Sequence, residues 1–74
     1  MPSGWTKITV ADSVIAGLRA PFVSASGTLT NEDAFMNAVT QYLQEQGHLP
    51  SIRNNAARTL WRFYGPDTIE IRSN

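Results

Sequence analysis

The 74-residue chain has no cysteine and one histidine. Without cysteine there are no disulfides, no thiolate nucleophile and no thiolate metal site, a composition that fits a reducing compartment. No two His, Asp or Glu residues stand at metal-ligand spacing. His48 sits in a Gly47-His48-Leu49 turn with Glu45 across a helix end. Such a histidine suits solvent or a helix C-terminus better than general-base work. Gly17, Gly27 and Gly47 are isolated, so no glycine-rich phosphate loop exists. Ser13, Ser24 and Ser26 lack a nucleophile-elbow context, and the scattered acids form no spaced carboxylate pair. The sequence therefore leads us to expect no catalysis, no cofactor and no metal.

Net charge is also lacking. Six Lys and Arg balance six Asp and Glu, whereas a free-standing nucleic-acid binder of this size is usually clearly basic. Long apolar runs are absent too. The stretch 14–18 is among the longest, far short of a membrane span. The opening Met-Pro-Ser-Gly-Trp-Thr-Lys shows no basic leader followed by an apolar stretch. The expected location is the cytoplasm, with no membrane partner. In style, the small cysteine-free chain is similar to accessory proteins of bacteria and their phages.

What is present is ordinary globular composition: 42% apolar residues, including two Trp, three Phe and two Tyr. The length suits one domain, residues 1–74, whose core is small and marginal. Charge is unevenly spread. From position 51 onward, Arg53, Arg58, Arg62 and Arg72 outnumber Asp67 and Glu70. Over 30–47, Glu32, Asp33 and Glu45 meet no cation. A dipolar molecule is expected.

Periodicity predicts the elements. Residues 1–4 read as a tail. Residues 5–10 alternate, with Thr6, Ile8 and Val10 on one side and Trp5, Lys7 and Thr9 on the other, as in a half-buried strand. Asp12 is placed to cap a short helix over 12–19 with Val14, Ile15 and Leu18 inward, although Gly17 and the β-branched pair leave a strand over 13–19 as the competing reading. Pro21 stops this element, and 21–30 read as a loop. A helix over about 31–46 follows, with Thr30 as cap, Phe35, Met36, Val39, Tyr42 and Leu43 on one face, and Gly47 as its stop. A second helix is predicted over about 51–64, capped by Ser51. Its apolar arc holds Ile52, Ala56, Ala57, Leu60, Trp61, Phe63 and Tyr64; its polar arc holds Asn54, Asn55, Arg58, Thr59 and Arg62. A strand over about 67–72 closes the chain, with Ile69 and Ile71 inward and Glu70 positioned to face Lys7 across a ladder. The expected fold is α+β in two layers: two central amphipathic helices with short strands near the N- and C-termini.

The polar arc of the 51–64 helix carries no acid, which makes Asn54, Asn55, Arg58 and Arg62 the candidate binding residues. Trp5, opposite the buried side of its strand, joins them as an aromatic anchor. The expected function is non-catalytic docking on an acidic protein surface. The runner-up is a helix-turn-helix-like DNA binder, because Asn and Arg read adenine and guanine edges. Its fit is poor: aligning Gly47 with the usual turn glycine puts Arg53 where an aliphatic residue is buried and leaves a proline in the turn. Self-association through Trp5 and a short edge strand is a further possibility.

Overall fold

A computed structural model describes residues 4–72; the tail expected over 1–4 lies outside them except for Gly4. The order is β1 (Trp5–Thr9), α1 (Asp12–Arg19), a 3-10 turn (Ala20–Phe22), α2 (Glu32–Glu45), α3 (Asn54–Ala57), a second 3-10 turn (Arg58–Leu60), β2 (Trp61–Gly65) and β3 (Thr68–Arg72). The three strands form one antiparallel sheet in the order β1-β3-β2, so the last strand lies at its centre. Helices cover one face of this sheet, and the α+β class read from the sequence holds.

The region 12–19 is helical, as one of its two readings required, with Ile15 buried and Val14 and Leu18 packed beside the core. Asp12 is its first residue and Ala11 stands at the cap. Pro21 does not end the turn outright. It sits early in the 3-10 extension, where a missing N–H costs nothing.

The helix predicted over 31–46 is α2. Its cap is Asn31, whose Oδ1 accepts from the Ala34 N–H at 3.1 Å. Thr30 instead bonds backward: its N–H and its hydroxyl both donate to the Phe22 carbonyl, at 2.7 and 2.9 Å. These bonds close the loop 22–30, which Val23 and Leu29 bridge. At the other end Gly47 adopts φ +83°. The His48 N–H returns to the Leu43 carbonyl and the Gly47 N–H to the Gln44 carbonyl, at 2.9 and 3.1 Å. That pair of bonds is a Schellman stop, which needs a left-handed residue at glycine's place. The Gln44 amide then donates to the carbonyls of Pro50 and Ile52, pinning the connection to α2.

The predicted helix over 51–64 is not formed. One α-turn, Asn54–Ala57, passes through a 3-10 turn into β2 at Trp61. Ser51 caps nothing; the turn starts from Arg53, which makes no side-chain cap bond. The physical cause lies in the stretch Trp-Arg-Phe-Tyr. Aromatic side chains favour a pleated surface, and β3 has a second edge to fill. Read at a period of two, Trp61 and Phe63 face the helices while Arg62 faces away, opposite Glu70. The loop Pro66-Asp67 then turns the chain into β3. Tyr64 is an extra residue at a bulge between the pairs Phe63–Ile69 and Gly65–Thr68.

The core joins Phe35, Val39 and Leu43 of α2 to Val10, Ile15, Leu49, Ala57, Trp61 and Ile69. Leu60, placed in the apolar arc, is only partly buried against it. One polar chain crosses this core. The Trp61 indole N–H donates to the buried Thr40 hydroxyl at 2.8 Å, which donates to the Met36 carbonyl at 2.8 Å. Replacing Thr40 by Val keeps the shape but strands the indole N–H, so Thr40→Val should lower unfolding free energy by about 1–3 kcal/mol. Thr40→Ser keeps the hydroxyl and should cost less. Urea denaturation of both variants checks the ordering.

Candidate docking surface

Strand alternation sends two sets of side chains to opposite faces of the sheet. Ile8, Trp61, Phe63, Ile69 and Ile71 turn toward the helices. Trp5, Lys7, Arg62, Glu70 and Arg72 turn to the open face. The register sets Lys7 and Arg62 on either side of Glu70, and Trp5 beside Arg72.

Glu70 was expected to point outward, and it does lie on the open face, yet it is only 9% exposed. Its neighbours cover it. The Arg62 Nε–H donates to Glu70 Oε1 at 2.7 Å. The Arg62 guanidinium also lies 3.9 Å from the centre of the Trp5 ring. On the other diagonal, the Lys7 ammonium stands 4.1 Å from the centre of the Tyr64 ring. Two cation–π pairs thus cross the sheet around one carboxylate, attractive contacts at a half-solvated surface. The bulge at Tyr64 belongs to this arrangement, since bulges redirect the side chains they carry.

The open face has the cations Lys7, Arg62 and Arg72, half of the six Lys and Arg in the chain. Glu70, neutralised by Arg62, is the acid among them. The acids Glu32 and Asp33 sit instead in the first turn of α2, where the helix dipole favours them.

The five residues singled out in the sequence separate. Trp5 and Arg62 come into contact, through a sheet rather than a helix. Arg58 leaves this group: its Nη1 bonds Asp33 Oδ1 at 3.0 Å and ties the 3-10 turn to α2. Asn54 and Asn55 are exposed on the single turn of α3. Arg58 and Arg62 therefore do not form one cationic pair a helical turn apart. Lys7, Tyr64 and Arg72 complete the surface and were not among the sequence candidates. The signal for Tyr64 was the period-two reading of 61–65; that for Lys7 was its place opposite Glu70.

Beyond this face, an open groove of about 570 Å³ lies along α1, lined by Asp12, Ile15, Ala16 and Arg19 together with Ser24 and Pro66. His48 is exposed just after α2. Among the described residues no three His, Cys, Asp or Glu side chains gather as a metal site. No helix among them is long and apolar enough to cross a membrane. Comparison of the chain with protein-family models, with curated proteins and with solved structures found no match.

The two arginine pairs differ in weight. The Arg62–Glu70 side chains are 56% and 12% exposed, those of Arg58–Asp33 34% and 81%. Arg62→Ala leaves a nearly buried carboxylate without its partner and should cost about 1–2 kcal/mol, kept low because Arg62 itself is half solvated. Arg58→Ala removes a solvated pair and should change stability by about 0.5 kcal/mol or less. Thermal unfolding of the two single variants separates them, and equal losses would contradict this account of the sheet face.

Proposed function

We propose that this protein is a non-catalytic docking module whose partner is a protein with an acidic surface, and that the open sheet face is the contact. One observation supports this most: Lys7, Arg62 and Arg72 share that face with Trp5 and Tyr64 around a carboxylate already neutralised. Arginine, tryptophan and tyrosine are the side chains that most often carry interface energy. The positive face against an acidic helix start is the layout that steers an oppositely charged partner into register. The rings are held by cations before any partner arrives, which lowers the entropy lost on binding. Asn54 and Asn55 remain candidate polar contacts on α3.

The DNA-binding reading relied on a recognition helix over 51–64, and α3 is one turn long. It survives as an outcome of the test. Polyglutamate and oligothymidylate of equal length are titrated against the protein at several salt concentrations. Polyglutamate should bind and oligothymidylate should not. The double variant Lys7→Thr, Arg72→Thr should weaken polyglutamate binding by about tenfold, the equivalent of about 1.4 kcal/mol. Preference for the oligonucleotide, with a steep loss of affinity as salt rises, would replace the protein partner by nucleic acid.

A further inference from the structure

We infer that the outer edge of β1 receives an extended segment of the partner as a fourth strand, and that this segment reads apolar–acidic–apolar. The inference rests on the docking reading above and specifies how the partner is held. An edge strand presents backbone N–H and C=O groups that an incoming chain can pair, and addition of a strand is a recurring mode of peptide recognition.

The two edges of this sheet are unequal. Edge strand β2 is interrupted by the bulge at Tyr64 and followed at once by Pro66. Bulges and prolines are devices that blunt an edge. Edge strand β1 has neither. Its five residues run in unbroken register with β3, from Trp5–Arg72 to Thr9–Thr68. No strand lies on its other side among the described residues, and its contacts with other elements run chiefly to β3. Thr6, Lys7 and Thr9 are exposed.

The occupied side of β1 shows what the strand accepts. There β3 sets Ile69, Glu70 and Ile71 against Ile8, Lys7 and Thr6. The outer side presents the same three β1 residues to a newcomer. On the open face, a residue opposite Lys7 on the outer side stands where Glu70 stands on the inner side, across from a lysine whose ammonium rests over the Tyr64 ring and bonds no carboxylate among the described residues. A carboxylate is the complement, since opposite charges directly across a ladder attract. On the helix face, the flanking residues meet Ile8, which is half-buried, and Thr6, which is exposed at the corner of the sheet. Apolar side chains there extend the core outward and bury more of Ile8.

A second copy of this chain is the poorer occupant. Antiparallel pairing of two β1 strands in full overlap places Lys7 against Lys7, and like charges directly opposite destabilise a ladder. A register that separates the lysines shortens the ladder. A lysine in the middle of an edge strand is itself a guard against self-pairing.

The test uses the full chain, isotope-labelled for NMR, and the probe acetyl-Ser-Thr-Ile-Glu-Ile-Thr-Ser-amide. Amide shifts should move in β1, with intermolecular contacts to Thr6 and Ile8. Replacing Glu by Lys in the probe should weaken binding by about five- to tenfold. In Lys7→Thr, a variant that suits a strand, the two probes should bind alike. A probe N-methylated at alternate residues, so that it cannot complete the ladder, should not bind.

Equal binding of the methylated and parent probes would overturn the strand-addition inference while leaving the docking reading intact. So would shifts confined to β2 or α1, or failure of both probes while polyglutamate still binds. Loss of polyglutamate binding as well would remove the docking reading itself. Light scattering that shows a dimer without probe, with β1 at its interface, would make a second copy the occupant and overturn the acidic partner segment.

Discussion

A carboxylate shielded from water must be met by positive charge and hydrogen-bond donors. Glu70 stands in the middle of the central strand, so that condition falls on both neighbours at once. Strand β2 answers with Arg62, which bonds the carboxylate, while β1 sets Lys7 opposite it in the register. Each cation then finds an aromatic ring on the far side of the carboxylate, and the crossed pattern fills the sheet face without a covering helix. A one-residue slip of either outer strand would send its cation to the helix side and leave Glu70 facing Ile8 or Phe63. Charge thus specifies the same register that the apolar inner face specifies.

The inner layer obeys a different constraint. Trp61 brings the largest side chain of the core and also an N–H that must be satisfied. Thr40 lies in the third turn of α2, beside Val39 and one turn before Leu43, so its hydroxyl reaches the indole while its neighbours pack. Phe63 sits 6.0 Å from Phe35 in a stacked arrangement and meets Trp61 edge-on at 5.1 Å. Phe63 is nonetheless 38% exposed, because β2 lies at the sheet edge.

Much of this could be read from residue order. The alternation over 5–10 and over 67–72, the apolar stripe of α2 and the Gly47 stop all depend on local periodicity and local backbone geometry, and each appears where expected. Even the Lys7–Glu70 pairing was visible. The region 51–64 was not. Ala56, Ala57, Leu60, Trp61 and Tyr64 satisfy a helical arc, and Trp61 and Phe63 alone satisfy a strand. The choice between them is made by β3, whose unfilled edge lies outside the local window. The Pro-Asp turn after Tyr64 was the available cue that two strands meet there. The candidate surface shows the same limit of local periodicity: Arg62 and Trp5 stand out in the sequence by their chemistry, and sheet pairing, not helical spacing, unites them. Thr30 illustrates a smaller confusion. Asn31 beside it is an equally good cap, and Thr30 serves the loop instead.

The order β1-β3-β2 also governs how the sheet can come into being. Strands β1 and β2 never touch in the ladder; each is joined to the sheet only through β3. Pairing β1 with β3 closes a long loop, from Thr9 to Thr68, whose entropy cost must be met before the contact rewards it. The local β2–β3 hairpin can form first and offer its far edge, while Trp5–Thr9 waits without a ladder. A chain interrupted before Thr68 therefore loses the whole sheet, not one strand of it. Loss of β1 alone, by contrast, leaves the β2–β3 hairpin with Arg62 and Glu70 still paired.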